Sequence, residues 1–232
     1  MRLMMLMVMG IPVAAVMRRM HRLRQSGKEK QALRVYRCAA WALGGVVYAA
    51  MAVQEGVLLA SGMLTWQTGL PLHLCSMMGV LTLPMLVSRN RFLWHLSIYL
   101  GLPGATLALF FPAVLATPWP IVTQGSFFAL HVGLMLAPLL PLSLGWKPSP
   151  WGAAAAGVFL LAVGMGVMAL NDRLGSNYLF VSWAVPQTPL MELARWGTGA
   201  YRALLAVLCA LLLALEGFGV SAMGRLKEKR ES

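Results

Sequence analysis

The placement of charge constrains this chain more than any other feature. Long apolar stretches with few charges alternate with short segments that collect most of the Lys and Arg. A hydrocarbon core about 30 Å thick needs ~20 apolar residues per crossing helix. The sequence offers about seven such stretches, near residues 3–17, 35–60, 71–87, 92–111, 125–142, 151–170 and 199–220. Only 11% of the residues are charged and 59% are hydrophobic, against about a quarter charged in soluble domains. The spans consume most of the chain, so one integral membrane domain over 1–232 is expected, with no separate soluble domain. A β-barrel would show short alternating segments instead of these continuous apolar runs. The expected fold is an all-α polytopic transmembrane bundle.

The first stretch resembles a signal peptide in length, but its flanks do not. Only Arg2 precedes it, whereas Arg18, Arg19, Arg22 and Arg24 follow. That polarity fits an uncleaved span with its amino terminus outside. The segment from Arg18 to Arg37 holds eight basic residues, and Arg89, Arg91 and Lys147 with Arg225, Lys227, Lys229 and Arg230 fall on the same side. Together these are 15 of the 19 Lys and Arg. Arg2, Arg173, Arg195 and Arg202 fall opposite. The positive-inside rule assigns the richer side to the cytoplasm, so a cytoplasmic carboxyl terminus in the plasma membrane is expected. The net charge of +12 then acts as an orientation signal and an attractor for anionic lipid headgroups. It requires no nucleic-acid partner. Trp41, Trp94, Trp146 and Trp151 fall near the inner span ends, and Trp66, Trp119, Trp183 and Trp196 near the outer ends, the levels an indole prefers. Two long outer connections, 112–124 with Pro118 and Pro120 and 171–198 with Pro186 and Pro189, are the longest candidates for functional loops.

Polar groups inside spans are costly and mark candidate sites. Cys75 lies near the outer end of the third span, where Pro71 suits a first helical turn. His131 lies in the outer part of the fifth span. Counting rise from the span starts puts both at similar depths, so a thiol–imidazole pair is sterically allowed. The bland alternatives are a buried apolar thiol and an interhelical hydrogen-bonding histidine. His73, two residues before Cys75, would face elsewhere on a continuous helix and joins the pair only if the helix start is unwound. Glu55, near the outer end of the second span, either snorkels or pairs with a histidine. Asn177 and Tyr178 lie in the long outer loop, where turn and interface roles suffice. All of these map to the outer half of the membrane. The three cysteines, Cys38, Cys75 and Cys209, are far apart and lack any metal-ligand spacing, so neither a metal nor an organic cofactor is implied.

A thiol in such a place becomes a nucleophile when a base takes its proton. At headgroup depth the pair would face phospholipid acyl esters. Attack would give a thioester and a lysolipid, followed by hydrolysis or transfer to a second lysolipid, with backbone donors or Asn177 available to an oxyanion. Pro71 has no N–H, which thins the donors expected at that helix start.

The segment Pro71-Leu72-His73-Leu74-Cys75, the span closing over Gly101 to Pro112, His131, and Gly175-Ser176-Asn177-Tyr178 occur in that order. In this the chain resembles the YwaF-like bacterial integral membrane proteins, which are related to transmembrane protein 164. The resemblance covers the chain from about Trp66 to Tyr201. It implies a lipid acyltransferase acting on membrane phospholipid or lysophospholipid, with Cys75 at the acyl-accepting cysteine and His131 at its partner histidine. The likeness extends to the androgen-induced fatty-ester hydrolases, which use a Thr–His pair. Ser76 stands where bacterial members often carry an acidic residue. Two other classes fit the residues alone. One is a small-solute transporter or substrate-binding component without covalent chemistry, built on spans broken at Gly101, Pro103 and Gly104. The other is an assembly partner whose small residues pack helices closely.

Overall fold

The computed structural model describes residues 1–184, 188 and 190–231, with side chains through 222. The described chain is helical, with no strand among the described residues. In order the helices are α1 (Arg2–Gln25), α2 (Glu29–Ala60), α3 (Leu74–Ser88), α4 (Arg91–Leu96), α5 (Leu102–Phe110), α6 (Pro120–Leu136), α7 (Pro150–Leu174), α8 (Leu190–Ala194) and α9 (Thr198–Glu231). A π-turn, Ser97–Gly101, joins α4 to α5, and a 3₁₀ segment, Ala137–Leu144, continues α6. Six helical stretches are long and apolar enough to cross a membrane: Arg2–Gln25, Glu29–Ala60, Arg91–Phe110, Pro120–Leu144, Pro150–Leu174 and Thr198–Ala222. The seventh expected span, α3, is apolar but has 15 residues. The chain is an all-α polytopic membrane protein.

Span ends moved where local chemistry overrides hydropathy. The first span is a full helix of 24 residues, since Arg18 to Arg24 continue α1 beyond its apolar part. The fifth begins at Pro120, five residues before the apolar run. A proline at the first helical position needs no N–H partner. The third span does not begin at Pro71. Pro71 is the centre of a γ-turn in which the Leu72 N–H donates to the Leu70 carbonyl at 2.8 Å, and α3 starts three residues later. The π-turn has an equally local cause. Pro103 has no N–H for the carbonyl four residues back, and the ladder re-registers so that the Leu102 N–H donates to Ser97, five residues back.

The described chain divides into two compact units, Met1–Leu64 with Leu74–Lys147, and Thr65–His73 with Pro148–Ser232. In the first, α2 packs on α1, α3 and α6, and α5 lies against α3 and α6. Its core gathers Met20, Tyr36, Met85, Trp94, Val132 and Leu140. Trp94, expected at an interface, is fully buried. Its indole N–H donates to the Pro138 carbonyl at 2.8 Å, which Pro141, three residues on in the 3₁₀ segment, has no N–H to satisfy. Trp41, Trp66, Trp119, Trp151, Trp183 and Trp196 are exposed. In the second unit α7 packs on α9. α7 ends at Gly175, whose φ of 63° is a left-handed cap that glycine adopts without strain. Pro186 and Pro189 of the long connection lie outside the described residues.

Candidate functional site: a cysteine at the head of α3 and a histidine in α6

Cys75 is the second residue of α3 and is part-buried. Because the helix starts at Leu74, the N–H groups of Leu74, Cys75 and Ser76 precede the first intrahelical bonds. A helix starting at Pro71 would offer fewer free donors, since Pro71 has no N–H; with the start at Leu74, Cys75 lies in the first turn with these three N–H groups outside the intrahelical ladder. On the α5 side, a methyl group added at Gly104 would meet Leu74 Cδ2 at 3.2 Å and come within 4.0 Å of Cys75 Sγ. Glycine at 104 therefore leaves α5 in close approach to the thiol without filling the space beside it.

One turn further along α3, Gly79 lies on the same face as Cys75. A methyl group at Gly79 would lie 3.5 Å from Leu130 Cδ1 and 2.5 Å from Met51 Sδ. Gly79 therefore lets α3 approach Met51 of α2 closely, with Leu130 of α6, the residue before His131, also in contact range. Such contacts set the register of α3 against its neighbours. Counting rise from helix starts does not, because α6 begins well before its apolar run and α3 begins late.

His131 is buried, with 5% of its surface exposed. Its Nδ1 lies 2.7 Å from the Phe127 carbonyl, one turn back, and its ring lies 4.1 Å from the Phe127 ring. A carbonyl can only accept, so Nδ1 carries the proton, and in the neutral ring Nε2 then holds the lone pair. The ring folds back toward the amino-terminal end of α6, as helical side chains do.

The remaining sequence candidates fall elsewhere. Glu55 is exposed and makes no ion pair among the described residues, whereas its neighbour Gln54 turns inward with Nε2 buried. His73 precedes α3, so the helix start is unwound at that point. In the second unit it packs its ring against Tyr178 at 5.2 Å and Phe180 at 4.8 Å. Its Nδ1 is buried without a partner among the described residues, and burial pushes its pKa below the ordinary value. Asn177 is engaged in its own turn: Oδ1 accepts from the Ser182 and Trp183 N–H groups, and Nδ2 donates to the Trp183 carbonyl. Tyr178 is fully buried, and its hydroxyl pins the segment before Cys75. It donates to the Trp66 carbonyl at 3.0 Å and accepts from the Leu70 N–H at 2.9 Å.

Sequence reading missed Asn171. Its side chain accepts from the Tyr178 N–H and the Ser176 hydroxyl and donates to the Tyr178 carbonyl. The one available signal was a carboxamide at the end of an apolar helix just before a glycine cap. It also missed the strain in the turn that follows, where Leu179 and Phe180 take φ of 57° and 55°. Tyr201 donates to the Phe180 carbonyl, and Arg202 donates to Val181 at 3.0 Å while pairing with Asp172 at 2.8 Å. Among the described residues no group of three or more His, Cys, Asp or Glu could hold a metal ion.

Fold and site together define a multi-pass α-helical membrane protein with a thiol at a helix head and an oriented imidazole on a neighbouring helix. The TMEM164 family model matches residues 1–215, and the chain belongs to the TMEM164 family. No curated protein and no solved structure matches the chain.

Proposed function

We propose that this protein is a membrane-embedded lipid acyltransferase or acyl-ester hydrolase in which Cys75 is the nucleophile and His131 the general base. The observation that carries the reading is the imidazole of His131. Its Nδ1–H is held by the Phe127 carbonyl, which in the neutral ring leaves Nε2 to act as the base, on a helix that packs against α3. Membership of the TMEM164 family supports a lipid-related role.

In the first half-reaction His131 Nε2 takes the proton from Cys75 Sγ, and the thiolate attacks the acyl carbonyl carbon of a phospholipid. The N–H groups at the start of α3 stabilise the oxyanion. The C–O bond breaks, and the imidazolium returns its proton to the departing alkoxide, giving a lysolipid and an acyl-Cys75 thioester. In the second half a water or a lysolipid hydroxyl attacks the thioester while His131 takes its proton. The C–S bond breaks and the thiol is re-formed. Tyr178 and His73 set the segment that delivers Cys75. Asn177 shapes the adjoining turn, and Glu55 stands at the outer rim.

In the same reading the amino terminus is outside, the carboxyl terminus is cytoplasmic, and the protein resides in the plasma membrane. The charge asymmetry supports this orientation. The test is acyl remodelling in proteoliposomes of defined phospholipid plus lysophospholipid. Cys75→Ala and His131→Ala should each abolish exchange while keeping the wild-type elution profile in detergent. Exchange that persists in both variants overturns the reading.

A further inference from the structure

The basic side of the first unit carries a second feature that the acyl-transfer reading does not use. The amino-terminal turns of α2 and the turn after α3 line a cavity of ≈ 370 Å³ whose lining includes Tyr36, Arg37, Trp41, Leu86, Ser88 and Arg89. Among the described residues no acidic one lines it. We propose that this cavity is a binding site for the phosphate headgroup of an anionic phospholipid, held between the guanidinium groups of Arg37 and Arg89.

Charge supplies the first argument. Glu29 and Glu55 are the only acidic residues in the sequence of this unit. Both ion pairs among the described residues, Arg195 with Glu192 and Arg202 with Asp172, lie in the other unit. Among the described residues Arg37 and Arg89 therefore have no carboxylate partner, and two forked cations on one cavity match a phosphate ester.

The backbone supplies the second. Arg89 holds φ at 53°, a left-handed conformation that costs a non-glycine residue free energy. The turn is fixed around it. The Ser88 hydroxyl donates to the Pro84 carbonyl at 2.6 Å, Asn90 caps α4 through the N–H groups of Phe92 and Leu93, and the Tyr36 hydroxyl donates to the Leu86 carbonyl at 3.0 Å. A glycine would relieve the strain, yet an arginine occupies the position beside a second arginine.

Depth supplies the third and selects a lipid over a free phosphate. α2 has 32 residues, longer than the ~20 that cross a hydrocarbon core. Counting back from Ala60 places exposed Trp41 at the inner interface and Arg37 about 6 Å beyond it, the level of lipid phosphates. The proposal rests on the orientation given above and is independent of Cys75 chemistry.

The test is native mass spectrometry of the detergent-purified full chain titrated with dioleoylphosphatidylglycerol or dioleoylphosphatidylcholine. Wild type should retain phosphatidylglycerol at least about tenfold better, a difference of ~1.4 kcal/mol. Arg37→Gln with Arg89→Gln should remove that preference, Arg34→Gln should keep it, and Cys75→Ala should keep it whatever its effect on acyl exchange. Arg89→Gly guards against misfolding: it should unfold no earlier than wild type yet lose most of the preference. Equal retention of the two lipids, or a preference surviving in the double variant, overturns the proposal. Full displacement of phosphatidylglycerol by millimolar glycerol 3-phosphate also overturns it, in favour of a soluble phosphate ester.

Discussion

The carboxamide of Asn171 grips Tyr178 at both ends of its backbone: Nδ2 donates to the Tyr178 carbonyl at 2.9 Å, and Oδ1 accepts from its N–H at 3.0 Å. Both residues are buried, so each bond is made away from competing water. Asn171→Ala would strand the Tyr178 N–H and carbonyl and the Ser176 hydroxyl. It should lower stability by about 2–4 kcal/mol. Thermal unfolding in detergent checks this, with Ser176→Ala, which removes only the hydroxyl bond to Asn171 Oδ1, falling between.

Tyr178 transmits that fixation to the chain ahead of Cys75. Tyr178→Phe removes the donor to Trp66 and the acceptor for Leu70 while keeping the ring against His73. It should cost about 1–2 kcal/mol and speed amide hydrogen exchange across residues 65–72. Unchanged exchange in that segment would mean the hydroxyl does not hold it.

Much of the helical plan is readable from hydropathy and charge, because the bilayer fixes how long an apolar run must be. Local chemistry that hydropathy does not encode moved the ends. Pro71 makes a γ-turn instead of a first helical turn, Pro120 opens α6 early, and Pro103 produces the π-turn. The chemistry of Cys75 and His131 as separate residue types was legible. Their mutual register was not, because it depends on Gly79 and Gly104 admitting neighbouring helices at chosen points. Trp94 looked like an interfacial indole and is a core residue, since only the folded chain brings it the Pro138 carbonyl. Asn171 and the strained pair Leu179–Phe180 were not legible, because the partners of Asn171, though only five and seven residues on, meet it only once the chain turns back after Gly175.

Gly104 gives a steric prediction. Its missing Cβ leaves space within 4.0 Å of Cys75 Sγ. Gly104→Ala meets only the flexible end of Leu74 and should fold. Gly104→Val should crowd the thiol and cost about 1–3 kcal/mol. In a Cys38→Ser, Cys209→Ser background, iodoacetamide should alkylate Cys75 several-fold more slowly in Gly104→Val than with glycine. Equal rates would place the reagent's approach on another side.

His73 gives a pH prediction. Burial lowers its pKa in the folded protein below the ordinary 6.5, so the folded state favours neutral imidazole. The stability this contributes is complete above pH 6.5 and is lost as pH falls through 6.5 toward the folded value. Unfolding temperature should drop on acidification from neutral pH, and His73→Phe, which keeps an aromatic ring against Tyr178 and Phe180, should flatten that drop. An equally steep fall in the variant would assign the acid sensitivity elsewhere.

If Cys75 carries the acyl group, intact-mass spectrometry after incubation with phospholipid vesicles reads it directly. Wild type should gain the mass of one acyl chain. The increase should map to Cys75, disappear on treatment with neutral hydroxylamine, and be absent from His131→Ala. An unmodified Cys75 during active acyl exchange, or an adduct that forms equally well without His131, would contradict it.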